Sequence, residues 1–230
     1  MGGIWIIIIV FGIISFAVNS RLKSKFRKYS KMPLSNNLSG AEVAKLMLAD
    51  HNIHDVQVTC VPGSLTDHYN PANRTVNLSE EVYHGRNAAA AAVASHECGH
   101  AVQHATAYSM LEFRSMLVPL QNASAKILNV IFIMMLFGSF ALTNFMPTAL
   151  LVVIGAYGVM TLFSFVTLPV EFDASRRALA WVKDRQIVNT SEYDMAKDAL
   201  KWAAMTYVVV AVGSLVTLLY YVSMFLGSRD

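Results

Sequence analysis

His96-Glu97-Cys98-Gly99-His100 carries the first chemical signal in the chain. On a helix, residues four apart lie one turn apart on the same face. Two imidazoles so placed can hold one zinc ion. Glu97, next to the first histidine, can take a proton from water that the metal activates and pass it on later. Histidine makes up 7 of 230 residues, so two at this spacing around a glutamate seldom arise by chance. The alanine run 88–92 leads into the motif and makes the whole stretch strongly helical. Gly99 costs a helix about 1 kcal/mol against alanine. It either lets a chain segment or a substrate come close, or it serves helix–helix packing. Cys98, between the histidines, should point away from the metal and reads as a packed core thiol.

A catalytic zinc usually has three protein ligands and one open position. The extended metzincin pattern needs a glycine at 103 and a histidine at 106, where the chain has Gln103 and Thr106. His104 continues the four-residue series, but three ligands strung along one helix span about 12 Å and cannot converge on one ion. Glu112 could reach only if the helix broke after His100, and 108–114 holds no clear breaker. Glu171 is the better candidate. It follows an apolar segment directly, two residues past Pro169. Its bland reading is a carboxylate that stabilises a helix N-terminus.

Other candidates are weaker. His68 and Tyr69 sit in an expected turn, where either could donate a hydrogen bond to the oxyanion of a tetrahedral intermediate. His68 is taken as the catalytic candidate of the two. Residues 75–78 read as a short strand, and as an edge against which an extended peptide could add. Arg176 and Arg177 could face the site or simply be charges that set topology.

The rest of the chain says where this site must sit. Hydrophobic residues make up 55% and charged residues 14%. Soluble domains carry about 25% charge, so an ordinary soluble protein is disfavoured. The net charge of +3 gives no reason to expect a nucleic-acid partner, and Cys60 and Cys98 cannot build a disulfide framework. A membrane-crossing helix needs about 20 mostly apolar residues. Segments 2–18, 127–146, 148–168 and 203–226 qualify, and the second and third are joined by an uncharged turn at 144–147. The first segment lacks a charged leader and a cleavage site and reads as an anchor. Arg21, Lys23, Lys25, Arg27, Lys28 and Lys31 follow it; Arg176, Arg177, Lys183, Arg185, Lys197 and Lys201 lie between the third and fourth segments. Positive charge of this kind marks the cytoplasmic side.

The expected organisation is therefore an anchor over 1–18, a cytoplasmic part over 19–126 and a membrane hairpin over 127–168. Cytoplasmic helices follow over 169–201, and a last crossing with its tail over 202–230. In the first polar part, Ser39-Gly40-Ala41-Glu42 is a capping box for a helix ending near Asp50. Val56, Val58 and Cys60 alternate with polar residues and predict a strand. Residues 68–73 predict a turn, and Asn87 opens the motif helix. In the second part, Pro169 suits the first turn of a helix running to about Lys183, and another helix enters the last crossing from about Glu192.

The motif His96–His100, followed after a membrane hairpin by Glu171-Phe172-Asp173-Ala174-Ser175, resembles the glutamate-ligand zinc peptidases (gluzincins) of membranes, the plan shared by HtpX and the CAAX prenyl protease. Ser175 stands where that pattern has an aspartate, so the resemblance supplies no carboxylate to support the zinc histidines. The chain is more closely similar to the bacterial neutral zinc metallopeptidases, or YugP-like proteins. That resemblance rests on Leu65-Thr66-Asp67-His68-Tyr69-Asn70-Pro71, Val76-Asn77-Leu78-Ser79, the alanine-rich run into His96–His104, Arg114, Pro119, and Leu168-Pro169-Val170-Glu171-Phe172-Asp173-Ala174-Ser175. It implies a multi-pass membrane zinc peptidase.

The expectation is a four-span helical membrane protein with a small cytoplasmic zincin-like α+β part. Zn2+ would be held by His96, His100 and Glu171, with Glu97 as general base. Substrates would be membrane or membrane-proximal polypeptides. The lipid bilayer is a partner, and a homo-oligomer or a membrane-protein partner is compatible with the sequence. The competing expectation is a non-catalytic membrane scaffold with a structural zinc. A reporter active only in the cytoplasm should work when fused within 19–126 or 169–201 and fail at 144–147; activity at 144–147 would reverse the orientation.

Overall fold

The computed structural model describes residues 2–137 and 146–227. In chain order the elements are α1 (Gly2–Tyr29), α2 (Gly40–Asp50), β1 (Gln57–Val61), β2 (His68–Asn70), β3 (Thr75–Ser79), α3 (Glu80–Tyr83), α4 (Ala88–Ala105), α5 (Ser109–Phe137), α6 (Met146–Asp184) and α7 (Thr190–Gly227). The protein is thus mostly helical with one small sheet. Among the described residues, α1, α5, α6 and α7 are long and apolar enough to cross a membrane. Half of the expected turn at 144–147 lies outside the described residues, as do residues 138–145 as a whole.

The chain divides into two units. The first comprises residues 1–16, 113–168 and 207–230 and, as far as it is described, is all helix. Its apolar side chains face outward: Trp5, Ile6, Phe16, Met116 and Phe132 are each 59% exposed or more. Such a surface would associate in water and suits hydrocarbon. Glycines let its helices meet closely. A Cβ on Gly213 of α7 would lie 3.0 Å from the Phe11 ring of α1, and one on Gly3 would lie 2.8 Å from Tyr220.

The second unit comprises residues 17–112 and 169–206 and holds the sheet and the motif helix. Its local structure follows from its caps. Ser39 Oγ accepts from the Glu42 amide while Glu42 accepts from the Ser39 amide, so both arms of the capping box are present. Asn87 Oδ1 accepts from the Ala90 amide and starts α4. Val43, Met47, Val76, Leu78 and Val82 are fully buried and form the centre of the core, with the alanine face of α4 against them. The alanine run is therefore close packing, and a Cβ on Gly40 would fall 2.2 Å from the Val82 carbonyl oxygen.

Several sequence expectations change here. Residues 75–78 are not an edge: β3 is the central strand, parallel to β1 and antiparallel to β2. Part of the expected turn at 68–73 is strand β2, which pairs His68, Tyr69 and Asn70 with Asn77, Val76 and Thr75. No new helix starts at Pro169; α6 runs through it. Proline forfeits one ladder bond there, a loss that apolar helices tolerate. Conversely, the chain does break between His100 and Glu112. Ala107 adopts φ 48°, its amide donates to His104 O at 3.2 Å, and the Tyr108 amide donates to Gln103 O at 2.9 Å. That is a Schellman stop with alanine where glycine is usual.

α4 approaches the backbone of α6 at Gly99. A Cβ there would lie 2.6 Å from the Ala174 carbonyl oxygen, a backbone atom that cannot swing aside. Of the two readings of Gly99, close approach of a second segment and helix packing, the structure has both in one contact. Gly99→Ala should lower stability by about 1–3 kcal/mol through overpacking, read as a lower Tm in detergent. Gly155→Ala, with nothing within 4 Å of its Cβ, should not lower it.

Candidate metal centre

α4 and α6 bring three expected side chains together. His96 and His100 lie one turn apart on α4, their ring centroids 4.8 Å apart. Glu171 of α6 places Oε2 3.4 Å from His96 Nε2 and 3.7 Å from His100 Nε2. One ligand atom from each of the three residues lies within 4.8 Å of the others. Among the described residues no other group of histidine, cysteine and acidic side chains converges in this way. Glu171 is 3% exposed and His100 9%. Burial opposes charge on His100, but Glu171, Glu97 and the Gln103 amide outweigh it and raise the pKa of the imidazole above its ordinary value.

The side chains fit a divalent cation. Glu171 Oε2 is buried and has no hydrogen-bond partner, and buried carboxylate oxygens are seldom left so. Two neutral imidazoles and one carboxylate form a known zinc donor set. Tetrahedral ligands about 2 Å from zinc sit roughly 3.3 Å apart, close to the separations that Glu171 makes with both histidines.

Each histidine is held from behind. His96 Nδ1 lies 3.1 Å from Ser175 Oγ, so the hydroxyl at the position of the missing aspartate is in contact after all. His100 Nδ1 lies 3.0 Å from Gln103 Oε1. Gln103 is fully buried, and its side-chain nitrogen donates to the Val170 carbonyl at 2.8 Å and to Asp173 Oδ2 at 3.0 Å. Asp173 in turn accepts from Arg177 Nε at 2.6 Å and from Arg176.

Glu97 is 8% exposed, and its Oε2 accepts the Tyr69 backbone amide of β2 at 3.0 Å. The Tyr69 hydroxyl lies 2.7 Å from His104 Nδ1, which draws the far end of α4 to the same strand. Behind β2, Asp67 accepts from the Ser79 amide at 2.8 Å and from the Ser79 hydroxyl. Burial raises the Asp67 pKa, and the charge of Glu97 adds to that rise against the bonds from Ser79.

The remaining candidates fall elsewhere. His68 is exposed on β2, with Nδ1 2.8 Å from Thr66 O and Nε2 3.2 Å from Asn77 Nδ2. Glu112 and His104 are not in the metal cluster. Cys98 is buried, with Sγ 3.5 Å from Ala44 O, and burial pushes its thiol pKa up, as befits a packed and inert group. Gln103, Asp173, Ser175 and the Tyr69 amide did not emerge from sequence reasoning as supporting groups. Two had a visible signal: Gln103 stands three residues after His100, and Asp173 three and four before Arg176 and Arg177, the spacings of helical neighbours.

The family model described as "Putative neutral zinc metallopeptidase" matches residues 4–226. The chain belongs to that family, which makes zinc the metal to expect at these side chains. It is similar to "Putative membrane protease YugP" of Bacillus subtilis (strain 168), 39% identical over 218 residues that cover 94% of each chain. No solved structure matches it.

Proposed function

We propose that this membrane protein is a zinc endopeptidase of the glutamate-ligand type, cleaving membrane or membrane-proximal polypeptides on the cytoplasmic side. The observation that carries the reading is the convergence of His96 Nε2, His100 Nε2 and Glu171 Oε2 beside a glutamate that belongs to none of the ligand positions. Zinc, when bound there, supplies a Lewis acid that activates water and polarises the scissile carbonyl. His96, His100 and Glu171 hold it. Glu97 is the general base: it takes the proton of the attacking water and delivers it to the leaving amine. The Tyr69 amide pins one carboxylate oxygen, so the other is left to the proton. For His68 to donate to the oxyanion, its ring must release Thr66 or Asn77 when substrate enters.

The surrounding unit serves as a small zincin-like α+β part, with α4 as its motif helix. Glu171 stands three residues after Leu168, the end of an uncharged stretch of α6. A ligand so close to an apolar segment supports substrates at the membrane surface. The clusters of lysine and arginine after the first segment and after Leu168 support the cytoplasmic side. A structural zinc in a scaffold would have no use for a base, whereas Glu97 is present, nearly buried and held in place.

His96→Ala, His100→Ala and Glu171→Ala should each lose zinc severely, while His104→Ala and Glu112→Ala keep most of it, as measured by metal content of purified protein. Zinc retained by Glu171→Ala and lost from Glu112→Ala would refute the third ligand. Glu97→Gln should keep about one zinc per chain and lose hydrolysis of a membrane-proximal peptide by at least about 10²–10⁴-fold. Near wild-type cleavage by that variant would remove Glu97 from the mechanism. Proteomics of cells carrying Glu97→Gln should show its substrates accumulating.

A further inference from the structure

We propose that Gln103 is a positioning residue that fixes the tautomer of His100, presenting Nε2 as the metal-binding nitrogen. The inference rests on the zinc site proposed above. An amide side chain can be turned either way, and here its surroundings permit only one. The Val170 carbonyl, 2.8 Å away, has no proton to give. Asp173 Oδ2, 3.0 Å away, already accepts from Arg177 Nε. Both neighbours on that side are acceptors, so the NH2 of Gln103 must face them. Oε1 is then the atom that faces His100 Nδ1 at 3.0 Å. An amide oxygen only accepts, so Nδ1 must carry the hydrogen, and the lone pair of the neutral ring falls on Nε2. Nε2 is the nitrogen 3.7 Å from Glu171 Oε2.

A flipped amide would set oxygen against the Val170 oxygen and nitrogen against Nδ1, and burial leaves no water to relieve the mismatch. The arrangement also spans the site. Gln103 belongs to α4, which carries both histidines, whereas Val170 and Asp173 flank Glu171 on α6. One side chain therefore ties the orientation of His100 to the helix that carries the carboxylate. Asp173 contributes at one remove: clamped by Arg176 and Arg177, it offers the amide an oxygen that is already committed as an acceptor.

The test uses the full-length protein in detergent. Nitrogen-15 NMR of metal-free, histidine-labelled wild type at alkaline pH should show the His100 ring, assigned by its absence from His100→Ala, with hydrogen on Nδ1. Hydrogen on Nε2 overturns the proposal. Gln103→Met keeps the length of the side chain and removes both its acceptor and its donors. Its zinc Kd, from chelator competition, should rise about 10–100-fold with helicity by circular dichroism unchanged. Wild-type zinc affinity in a folded Gln103→Met protein also overturns the proposal. Should that variant not fold, the tautomer in wild type decides alone. Wild type that binds no zinc but shows hydrogen on Nδ1 refutes the metal site and leaves the role of Gln103 in orienting the ring intact.

Discussion

The contact between Gly99 of α4 and the Ala174 backbone of α6 sets the distance on which the whole centre depends. Two helices bearing ordinary side chains pack about 8–10 Å apart, and a glycine facing a carbonyl lets them come closer. Once that contact is made, the helical repeat does the rest. His96 stands three residues before Gly99 and His100 one after it, and Glu171 precedes Ala174 by three residues, roughly one turn. Gln103 lies one turn beyond Gly99 and meets Val170 and Asp173, while Ser175 meets His96. The polar groups of the centre are thus read off two helices in register. Rigid elements hold such groups more tightly than loops do.

Close approach brings polar side chains into a dry interior, where each must find a partner or cost stability. Gln103 makes bonds through both ends of its amide. Asp173 takes two arginines as well as Gln103. Ser95 returns its hydroxyl to the Ala91 carbonyl at 2.7 Å. Among the described residues of this unit, Glu171 Oε2 is the buried side-chain atom left over. One buried carboxylate oxygen aimed between two imidazoles, with no hydrogen-bond partner, suits a cation. The geometry around that atom therefore argues for a metal independently of the family assignment.

How much of this could be read from residue order differs by feature. The capping box at Ser39, the apolar helices and the pair His96 and His100 are local patterns, and local patterns survive into the structure. Glu171 was legible through its place after an apolar segment, because that fixes where its helix can go. The stop at Ala107 was not, since alanine carries no sign of a left-handed turn; only tertiary packing makes one affordable there. Strand β2 was hidden for a related reason. Three residues beside Asn70-Pro71 look like a turn until β3 supplies a partner. The hold on Glu97 was illegible in principle, because the Tyr69 amide is a backbone group and every residue but proline has one.

Ser175 shows how a missing residue can be informative. An aspartate behind a zinc histidine raises the basicity of that ligand and adds negative charge next to the metal. Here the groups that touch the Nδ1 atoms are a hydroxyl on His96 and an amide on His100, both neutral. Asp173, the carboxylate that Gln103 bonds, is a bond further out and is itself compensated by Arg176 and Arg177. Glu171 is then the only anion among the proposed ligands, and a cation held there would keep more of its own positive field than one whose histidines lean on carboxylates. In the function proposed above, that field is what would act on water and on a carbonyl oxygen. The same neutrality weakens the electrostatic hold on the metal, so retention must come from geometry instead. Gln103, locked between two acceptors and the ring it orients, is the side chain best placed to provide that rigidity.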